Sequence, residues 1–364
     1  MTDRHAGGES AFGFSGSWRE YAPIAFTNLL LTIVTLGVYS FWARARTRRY
    51  LWSRTRFIDD RLEWTGTGLE LFIGYLLAIV LFLVPAGVLN FVIQSMVLRG
   101  HVGAAGAGGL LIYIGLLTLV GVARFRAVRY RLSRTFWHGI RGGSDEQGFA
   151  FGLQYLWRTL VGSLALGLMI PWSMTTLWNR RWNAMSFGPM RFEADAEWRP
   201  IFGRFLLFYL WPVVLFVGVF VIGLFWAAFG ATFGATPSPN TTVATAALLV
   251  LLVVAVFYGL LGVIALAYYA AFFREAMAKL RLGALQFGFT AHTADFIRLF
   301  LGNVGLTIVT LGIGYIFVPY RNWAFFVRHA QAYGEVMLDD MTQSTTRDPG
   351  QGEGLLDAFD VGAF

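Results

Sequence analysis

The chain has 364 residues, of which 56% are hydrophobic, 17% are aromatic and only 14% are charged. An average soluble domain is about 25% charged, so this composition excludes a water-soluble globular protein of this length. The net charge of +8 comes from arginines placed beside apolar segments, which indicates membrane topology rather than nucleic-acid binding, and the absence of cysteine excludes disulfides and thiolate metal sites.

Seven apolar segments are long enough to cross a hydrocarbon core of about 30 Å, which takes roughly 20 residues in a helix. They lie at about 23–43, 69–95, 104–123, 154–177, 201–230, 243–271 and 296–318. The loops containing GHVGAAGAGG and ATPSPNTT hold almost no charge, whereas the stretches outside them are rich in arginine. We therefore predict two membrane-spanning helical hairpins, at about 69–123 and 201–273, with their loops on the outer side.

The remaining segments, at 23–43, 154–177 and 296–318, fit this pattern less well. Basic residues lie on both sides of 154–177, so a full crossing there would reverse the charge rule for the rest of the chain. Arg158 and Pro171 also make it a poor straight span. We predict broken, re-entrant or spanning helices, which leaves seven full spans and four spans plus three re-entrant helices as alternatives.

These segments belong to an internal repeat. The stretch 12–37 aligns without gaps on 287–312 with eleven identities: three in FGF, one at Asn28 and Asn303, and seven in LTIVTLG. The first unit also aligns, more weakly, on the middle one, where Leu36-Gly37 falls on Leu166-Gly167. The predicted units are about 12–68, 144–200 and 287–335. Such repeats often place a site at their interface; the alternative is a duplicated packing unit without a site.

Two short stretches have the alternation of strands. RFIDDRLEWTGTG and MSFGPMRFEAD carry turn residues at Asp59-Asp60 and Gly188-Pro189, which predicts small cytoplasmic β-hairpins. FGFSGS and LQFGFT are predicted to add strands to a minor β-layer below the bilayer. The predicted fold class is an all-α polytopic membrane protein with internal repeats and minor cytoplasmic β-hairpins.

We predict one membrane domain over residues 12–335, preceded by a flexible N-terminus at 1–11. Residues 336–364 are rich in aspartate and glycine and contain Pro349, which predicts a disordered tail on the cytoplasmic side.

The candidate ligand-binding residues are polar groups on the apolar segments. The Thr-Leu-Gly steps mark where a helix could unwind and free carbonyl and hydroxyl groups for ions, although glycine is common in membrane helices. Asparagine amides could line a path or simply join helices. Arg158 could bind an anionic group or snorkel, and Glu70 could serve a cation path or pair with an arginine. The full set is Asn28, Thr35, Gly37, Glu70, Arg158, Asn303, Thr310 and Gly312.

The basic and aromatic run WARARTRRYLWSRTR at 42–56 is a candidate site for anionic lipid headgroups. Each basic residue near an anionic leaflet adds about 1 kcal/mol to lipid attraction, while the alternative is a topology anchor without a ligand. The candidate residues are Trp42, Arg44, Arg46, Arg48, Arg49 and Tyr50.

The stretches FGFSGSW, LLLTIVTLGVYSFWARARTRRYL and RLEWTGTGLELFIGYL, with their partial return later in the chain, resemble the YjgN-like family of bacterial inner-membrane proteins. The resemblance covers most of residues 12–335. It implies an inner-membrane location and the repeat architecture, but no reaction or ligand.

These features predict a small-solute or ion transporter or channel with a pathway at the repeat interface. The alternative is a non-catalytic membrane scaffold or an anionic-lipid-binding envelope protein. An enzyme is least supported, because no nucleophile, base or metal-ligand set is legible, and we expect no cofactor and no metal. The expected partners are membrane lipids with anionic headgroups and not nucleic acid, and a homo-oligomer is compatible with the sequence. We expect a multi-pass inner-membrane protein with a cytoplasmic C-terminus.

Overall fold

The computed structural model describes residues 11–233, 239–334 and 342–347. It is mainly helical, as predicted. The helices are α1 (Trp18–Val34), α2 (Ser40–Ser53), α3 (Gly68–Ala78), α4 (Val84–Leu98), α5 (Val102–Arg134), α6 (Phe149–Leu164), α7 (Ile170–Trp182), α8 (Arg199–Phe233), α9 (Pro239–Ala278), α10 (Thr293–Val309) and α11 (Val318–His329).

Short strands lie between the helices. They are β1 (Phe12–Phe14), β2 (Thr55–Phe57), β3 (Asp60–Arg61), β4 (Glu63–Trp64), β5 (Thr135–Trp137), β6 (Ile140–Gly143), β7 (Ser186–Phe187), β8 (Met190–Ala194), β9 (Leu280–Leu282), β10 (Leu285–Phe289) and β11 (Ala330–Tyr333).

Helices α5, α8 and α9 are each long and apolar enough to cross a membrane. Their side chains also suit contact with lipid, since Phe216 of α8 and Leu249 of α9 are 73% and 61% exposed. Helix α3 continues through a π-helical turn, Ile79–Leu83, into α4. Two long helical hairpins, α3–α4 with α5 and α8 with α9, therefore occupy the regions predicted for membrane-spanning hairpins.

The first long hairpin turns more tightly than predicted. Helix α5 begins at Val102, so most of the GHVGAAGAGG stretch is helical and the turn is confined to Arg99–His101. Gly100 has a φ of 82° and its N–H bonds to the Val97 carbonyl at 3.0 Å. In apolar surroundings no water is present to bond the backbone N–H and C=O groups, and a helix pairs these groups internally. The glycines of this stretch, which in water would favour a loop, are therefore helical. Residues 234–238 of the other predicted loop lie outside the described residues.

Three short helical hairpins, α1–α2, α6–α7 and α10–α11, replace the three remaining apolar segments. In each, the chain turns at a Leu-Gly pair in the left-handed region: Leu36-Gly37, Leu166-Gly167 and Leu311-Gly312, with leucine φ values of 50°, 53° and 51°. A positive φ is uncommon for leucine. The two helices of a pair lie side by side, as shown by the Asn28 Nδ2 bond to the Ala43 carbonyl at 3.2 Å.

The strands form a larger sheet than predicted, which corrects the all-α fold class. An eight-stranded antiparallel sheet has the order β11-β10-β9-β8-β7-β6-β5-β4, and β1, β2 and β3 form a separate three-stranded sheet. The predicted hairpins β2–β3 and β7–β8 are present. The pair β5–β6 and strands β9 and β11 were not predicted, because strands of 3 or 4 residues barely show a period of two and no turn pair like Asp59-Asp60 or Gly188-Pro189 marks them.

The strands lie together at the feet of all five hairpins, in what we call the strand layer. Helix α2 ends at Ser53 just before β2, α5 ends at Arg134 directly before β5, and α9 ends at Ala278 just before β9. Tightly packed side chains join the layer to the helix ends, among them Trp137 and Phe125, which are 2% and 0% exposed. The hairpins therefore leave the strand layer with their turns pointing away from it.

Residues 342–347 differ from the disordered tail predicted for 336–364. They pack beside β5 and β6, where Arg141 donates to the Thr346 carbonyl at 2.6 Å and Gln343 donates to the Gly139 carbonyl at 2.8 Å. Ser344 and Thr346 are each only 8% exposed. The other residues of the predicted tail, and residues 1–10 of the predicted flexible N-terminus, lie outside the described residues.

Candidate ligand-binding cavity

A cavity of about 810 Å³, here called the central cavity, runs between α1, α2 and α11 to the strand layer. Along α2 its lining extends from Ser40 near the hairpin turn to Thr55 at the start of β2. The 14 residues of α2 rise about 21 Å, so the cavity follows nearly the whole length of the first short hairpin. The feet of α5, α7 and α9 complete its wall.

Helical spacing explains which side chains α1 and α2 contribute. On α1 the lining residues Tyr21, Ala25, Asn28 and Thr32 recur every three or four positions, as residues on one face of a helix do. The strand layer contributes apolar and aromatic side chains, such as Phe287 of β10. Much of the cavity wall is therefore hydrocarbon.

The charged groups of the wall are all basic. Four arginines line the cavity, and within the described ranges no Asp or Glu does so: Arg44, Arg48, Arg131 and Arg181. They come from three different helices, α2, α5 and α7. Low-dielectric walls strengthen the field of a charge, so a buried arginine without a carboxylate partner would favour an anion in the cavity.

Arg181 has the most unusual surroundings of the four. Its side chain is 9% exposed and its guanidinium lies over the Trp178 ring, 5.4 Å from the centroid. Its Nε atom has no hydrogen-bond acceptor among the described residues. Burial, and then the charges of Arg131 and Arg124, lower the pKa of Arg181 to about 10. That pKa still leaves Arg181 cationic at neutral pH.

Two neighbouring tryptophans add further donors without acceptors. Trp178 and Trp182 lie on the same helix as Arg181 and line the same cavity. Their buried indole N–H groups have no acceptor in the part of the chain that the structure describes. The tryptophans across the cavity differ, since Trp52 donates to Thr135 at 2.9 Å and Trp323 donates to Thr55 at 2.8 Å.

Buried donors normally have acceptors, and a group left without one costs free energy. Arginine and indole N–H groups donate only. The two indole nitrogens and Arg181 Nε are themselves enclosed by protein atoms, so the group of α7 that offers a charge to the cavity is the Arg181 guanidinium, and a phosphate, sulfate or carboxylate would compensate that charge.

Among the predicted ligand-binding residues, Asn28 lines the cavity. It donates to the Ala43 carbonyl and to Thr47 Oγ1 at 3.2 and 3.4 Å, and its Oδ1 has no donor among the described residues. Its repeat counterpart Asn303 instead binds Asn322 at 2.9 Å and Arg321 at 2.7 Å, joining α10 to α11.

The predicted threonines and glycines lie at the turns of the short hairpins, outside the cavity lining. Thr35 Oγ1 donates to the Leu31 carbonyl at 2.7 Å and accepts from the Tyr39 N–H at 2.9 Å. Thr310 Oγ1 makes the same pair of bonds, to Leu306 and Gly314, each at 2.6 Å. These hydroxyls therefore close the turns before Gly37 and Gly312.

Arg158 and Glu70 each have partners in the protein and lie outside the cavity lining. Arg158 donates to the Thr176 carbonyl at 2.8 Å, which joins α6 to α7. Glu70 accepts from Arg134 and from the Tyr130 hydroxyl, both at 2.8 Å, and forms a capping box with Thr67 at the start of α3.

The predicted headgroup residues divide between two faces of α2. Arg44 and Arg48 line the cavity, whereas Arg46 and Arg49 are exposed. The aromatic residues of this run pack inside the protein: the Trp42 ring lies 5.7 Å from that of Phe72, and the Tyr50 hydroxyl donates to the Ser17 carbonyl at 2.9 Å.

The cavity residues on α7 and Arg131 of α5 were not predicted from the sequence as site residues. One signal was present, since Trp52 and Trp182 both line the cavity and occupy equivalent positions when the first repeat unit is aligned on the middle one. No local pattern places the feet of α5 and α7 beside the first short hairpin.

The chain matches a known family over most of its length. A family model described as "Bacterial protein of unknown function (DUF898)" matches residues 9–358. Proteins named "Inner membrane protein YjgN" are similar to parts of the chain. The one from Salmonella typhimurium is 27% identical over 130 residues, or 36% of this chain and 30% of that protein. The one from Escherichia coli O157:H7 is 29% identical over 131 residues, with the same coverage.

The Escherichia coli K12 protein of that name is 36% identical over 66 residues, or 18% of this chain and 17% of its own length. The chain thus matches less than a third of the length of these relatives. No solved structure matches the chain.

Proposed function

This chain belongs to the family described as "Bacterial protein of unknown function (DUF898)", and on that premise we propose that it is a non-catalytic inner-membrane protein that binds an anionic ligand in its central cavity. The membership confirms the resemblance drawn from the sequence, and the relatives are named inner membrane proteins. One observation carries the proposal: Arg181, which is 9% exposed and has no carboxylate partner among the described residues, lines the cavity.

The proposed topology has the strand layer in the cytoplasm, because the arginine-rich ends of α2, α5 and α7 lie beside it and basic residues favour that side. The two long hairpins then cross the membrane fully. The C-terminal segment, whose residues 342–347 pack beside β5 and β6, is cytoplasmic in this arrangement.

We propose that the three short hairpins are repeats that enter the membrane without crossing it. Helix α1 has 17 residues and α2 has 14, so they reach about 25 and 21 Å, less than the roughly 30 Å of hydrocarbon. Their turns suit an apolar medium, since Leu36, Leu166 and Leu311 are 94%, 82% and 93% exposed. The turns recur at equivalent positions of the three repeat units found in the sequence.

The proposed use of the cavity is transport of the anionic ligand along the interface of the short hairpins. The lining follows the first short hairpin from its turn to the strand layer, which is the direction a ligand would take between membrane and cytoplasm. Binding of an anionic lipid is the second candidate, and the hydrocarbon walls favour it.

The binding step is tested first by thermal unfolding of detergent-purified protein in sodium sulfate and in sodium chloride of equal ionic strength. At a sulfate concentration tenfold above the dissociation constant, we expect the wild type to gain about 2 °C. Arg181→Gln should lose this gain, and Arg191→Gln, which removes an exposed arginine outside the cavity lining, should keep it. Equal gains in all three proteins would contradict an anion site in the cavity.

A further inference from the structure

We infer that the ligand of the central cavity is an anionic amphiphile, a hydrocarbon chain that carries a phosphate or similar oxyanion. The inference rests on the proposed function, because it names the ligand class for the same cavity. The oxyanion pairs with the Arg181 guanidinium of α7, and the chain lies against the apolar wall.

The polar part of the ligand is assigned by Arg181. This residue lines the cavity, is 9% exposed and has no carboxylate partner among the described residues. A phosphate would accept from its guanidinium and compensate its charge. A neutral ligand would leave the buried Arg181 charge without compensation.

The apolar part is assigned by the size and lining of the cavity. A volume of about 810 Å³ would hold roughly 27 water molecules at about 30 Å³ each, far more space than one small anion needs. Apolar side chains such as Leu29 of α1, Val318 of α11 and Phe287 of β10 cover much of the wall. A small anion would leave that wall in contact with water, which is unfavourable, whereas a hydrocarbon chain covers it.

The location of the cavity also favours an amphiphile. Helices α1 and α2 form its wall, and their turn carries exposed apolar groups such as Leu36, at 94%. In the proposed topology these groups lie among lipid tails, so a ligand with an acyl chain could enter from the bilayer and keep its charged group near the cytoplasmic side.

Three probes separate the two parts of the ligand: dioleoyl phosphatidic acid has chains and phosphate, inorganic phosphate has no chain, and dioleoylglycerol has no phosphate. Their dissociation constants are measured on delipidated, detergent-purified protein by native mass spectrometry and calorimetry. We expect phosphatidic acid to bind at least tenfold more tightly than either of the other probes, since charge-assisted hydrogen bonds and chain burial both contribute.

The variants then assign each part to its residues. Arg181→Gln should raise the dissociation constant of phosphatidic acid about tenfold or more. Arg181→Lys, which keeps the charge, should raise it less. Leu29→Trp places a larger side chain on the apolar wall and narrows the cavity. It should weaken the binding of phosphatidic acid and leave the binding of inorganic phosphate unchanged. Arg191→Gln, at an exposed arginine outside the cavity lining, is the matched control, and circular dichroism with the unfolding temperature shows that each variant is folded.

The outcomes distinguish the inference from the proposed function. If inorganic phosphate binds as tightly as phosphatidic acid and Leu29→Trp changes neither, the ligand is a small anion: the inference is overturned and the anion site stands. If phosphatidic acid binds equally to the wild type and to Arg181→Gln, the lipid is held elsewhere and the inference is overturned. If no probe responds to Arg181→Gln, the proposed anion site fails as well.

Discussion

Arg181 and Arg134 show how differently two largely buried arginines can be placed in one protein. Arg134 Nη2 lies 2.8 Å from Glu70 Oε1, so its charge is compensated. Arg181 is 9% exposed, beside Arg131 and Arg124, and within the described ranges it has no carboxylate partner. Burying such a charge costs free energy, and proteins commonly retain such costs where function requires them.

The contrast gives a prediction for the ligand-free protein. Arg181→Met should raise the free energy of unfolding by about 1 kcal/mol, because the relief of an uncompensated charge exceeds the lost contact with the Trp178 ring. Arg134→Met should lower it by about 1–3 kcal/mol, because Glu70 then loses its charged partner. Chemical denaturation of delipidated protein in detergent measures both. A destabilised Arg181→Met protein would indicate that Arg181 serves packing rather than a ligand.

At the scale of the element, the Leu-Gly turns explain why the short hairpins reverse where they do. Gly312 has a φ of 94°, and Thr310 Oγ1 accepts from the Gly314 N–H, so the helix ends and restarts within a few residues. The turn is built from local bonds and lies outside the cavity lining. We therefore expect Thr310 and Gly312 to stabilise the turn rather than to bind a ligand, and the two roles can be separated by experiment.

We predict that Gly312→Ala and Thr310→Val destabilise the third short hairpin by about 1 kcal/mol each, through strain at positive φ and loss of a hydrogen bond. Ligand binding by the folded protein should be unchanged. Gly305→Ala is the control, since a Cβ there meets no atom within 4 Å and alanine favours the helix. Loss of binding in Thr310→Val at normal stability would instead support the threonine as a ligand group.

At the scale of the whole molecule, the strand layer determines the proposed topology, because every hairpin starts and ends in it. His138 in the β5–β6 turn precedes the second short hairpin, and Glu193 in β8 follows it. If that hairpin enters the membrane and returns, both residues lie on the same side. If it crosses fully, they lie on opposite sides.

Because the chain has no cysteine, the side of the membrane on which each residue lies can be measured with single introduced cysteines and a membrane-impermeant maleimide. We expect His101→Cys, in the turn between α4 and α5, to react in intact cells. His138→Cys and Glu193→Cys should react only after permeabilisation, and Leu166→Cys at the hairpin turn should react in neither condition, because hydrocarbon excludes the thiolate. If Glu193→Cys is labelled in intact cells and His138→Cys is not, the second short hairpin crosses the membrane.

Local features of the sequence determined much of this architecture. Apolar length and the position of arginines predicted the hairpin regions, since both act on each segment separately. The recurring Leu-Gly steps, such as Leu36-Gly37 and Leu311-Gly312, marked the turns because glycine tolerates a left-handed backbone that few other residues adopt. The β2–β3 hairpin was legible from its own alternation and turn residues.

The tertiary structure alone decided the sheet and the cavity. Glu63 pairs with Phe136, and Gln286 with Tyr333, so the sheet depends on contacts between distant parts of the chain. The sequences of strands of two to five residues do not indicate which strands pair. Arg48 and Arg181 share a cavity only because the packed feet of α2, α5 and α7 bring them together. A segment's own sequence sets its hydrophobicity and its turns, whereas the surroundings of a charge are set by the helices that pack against it.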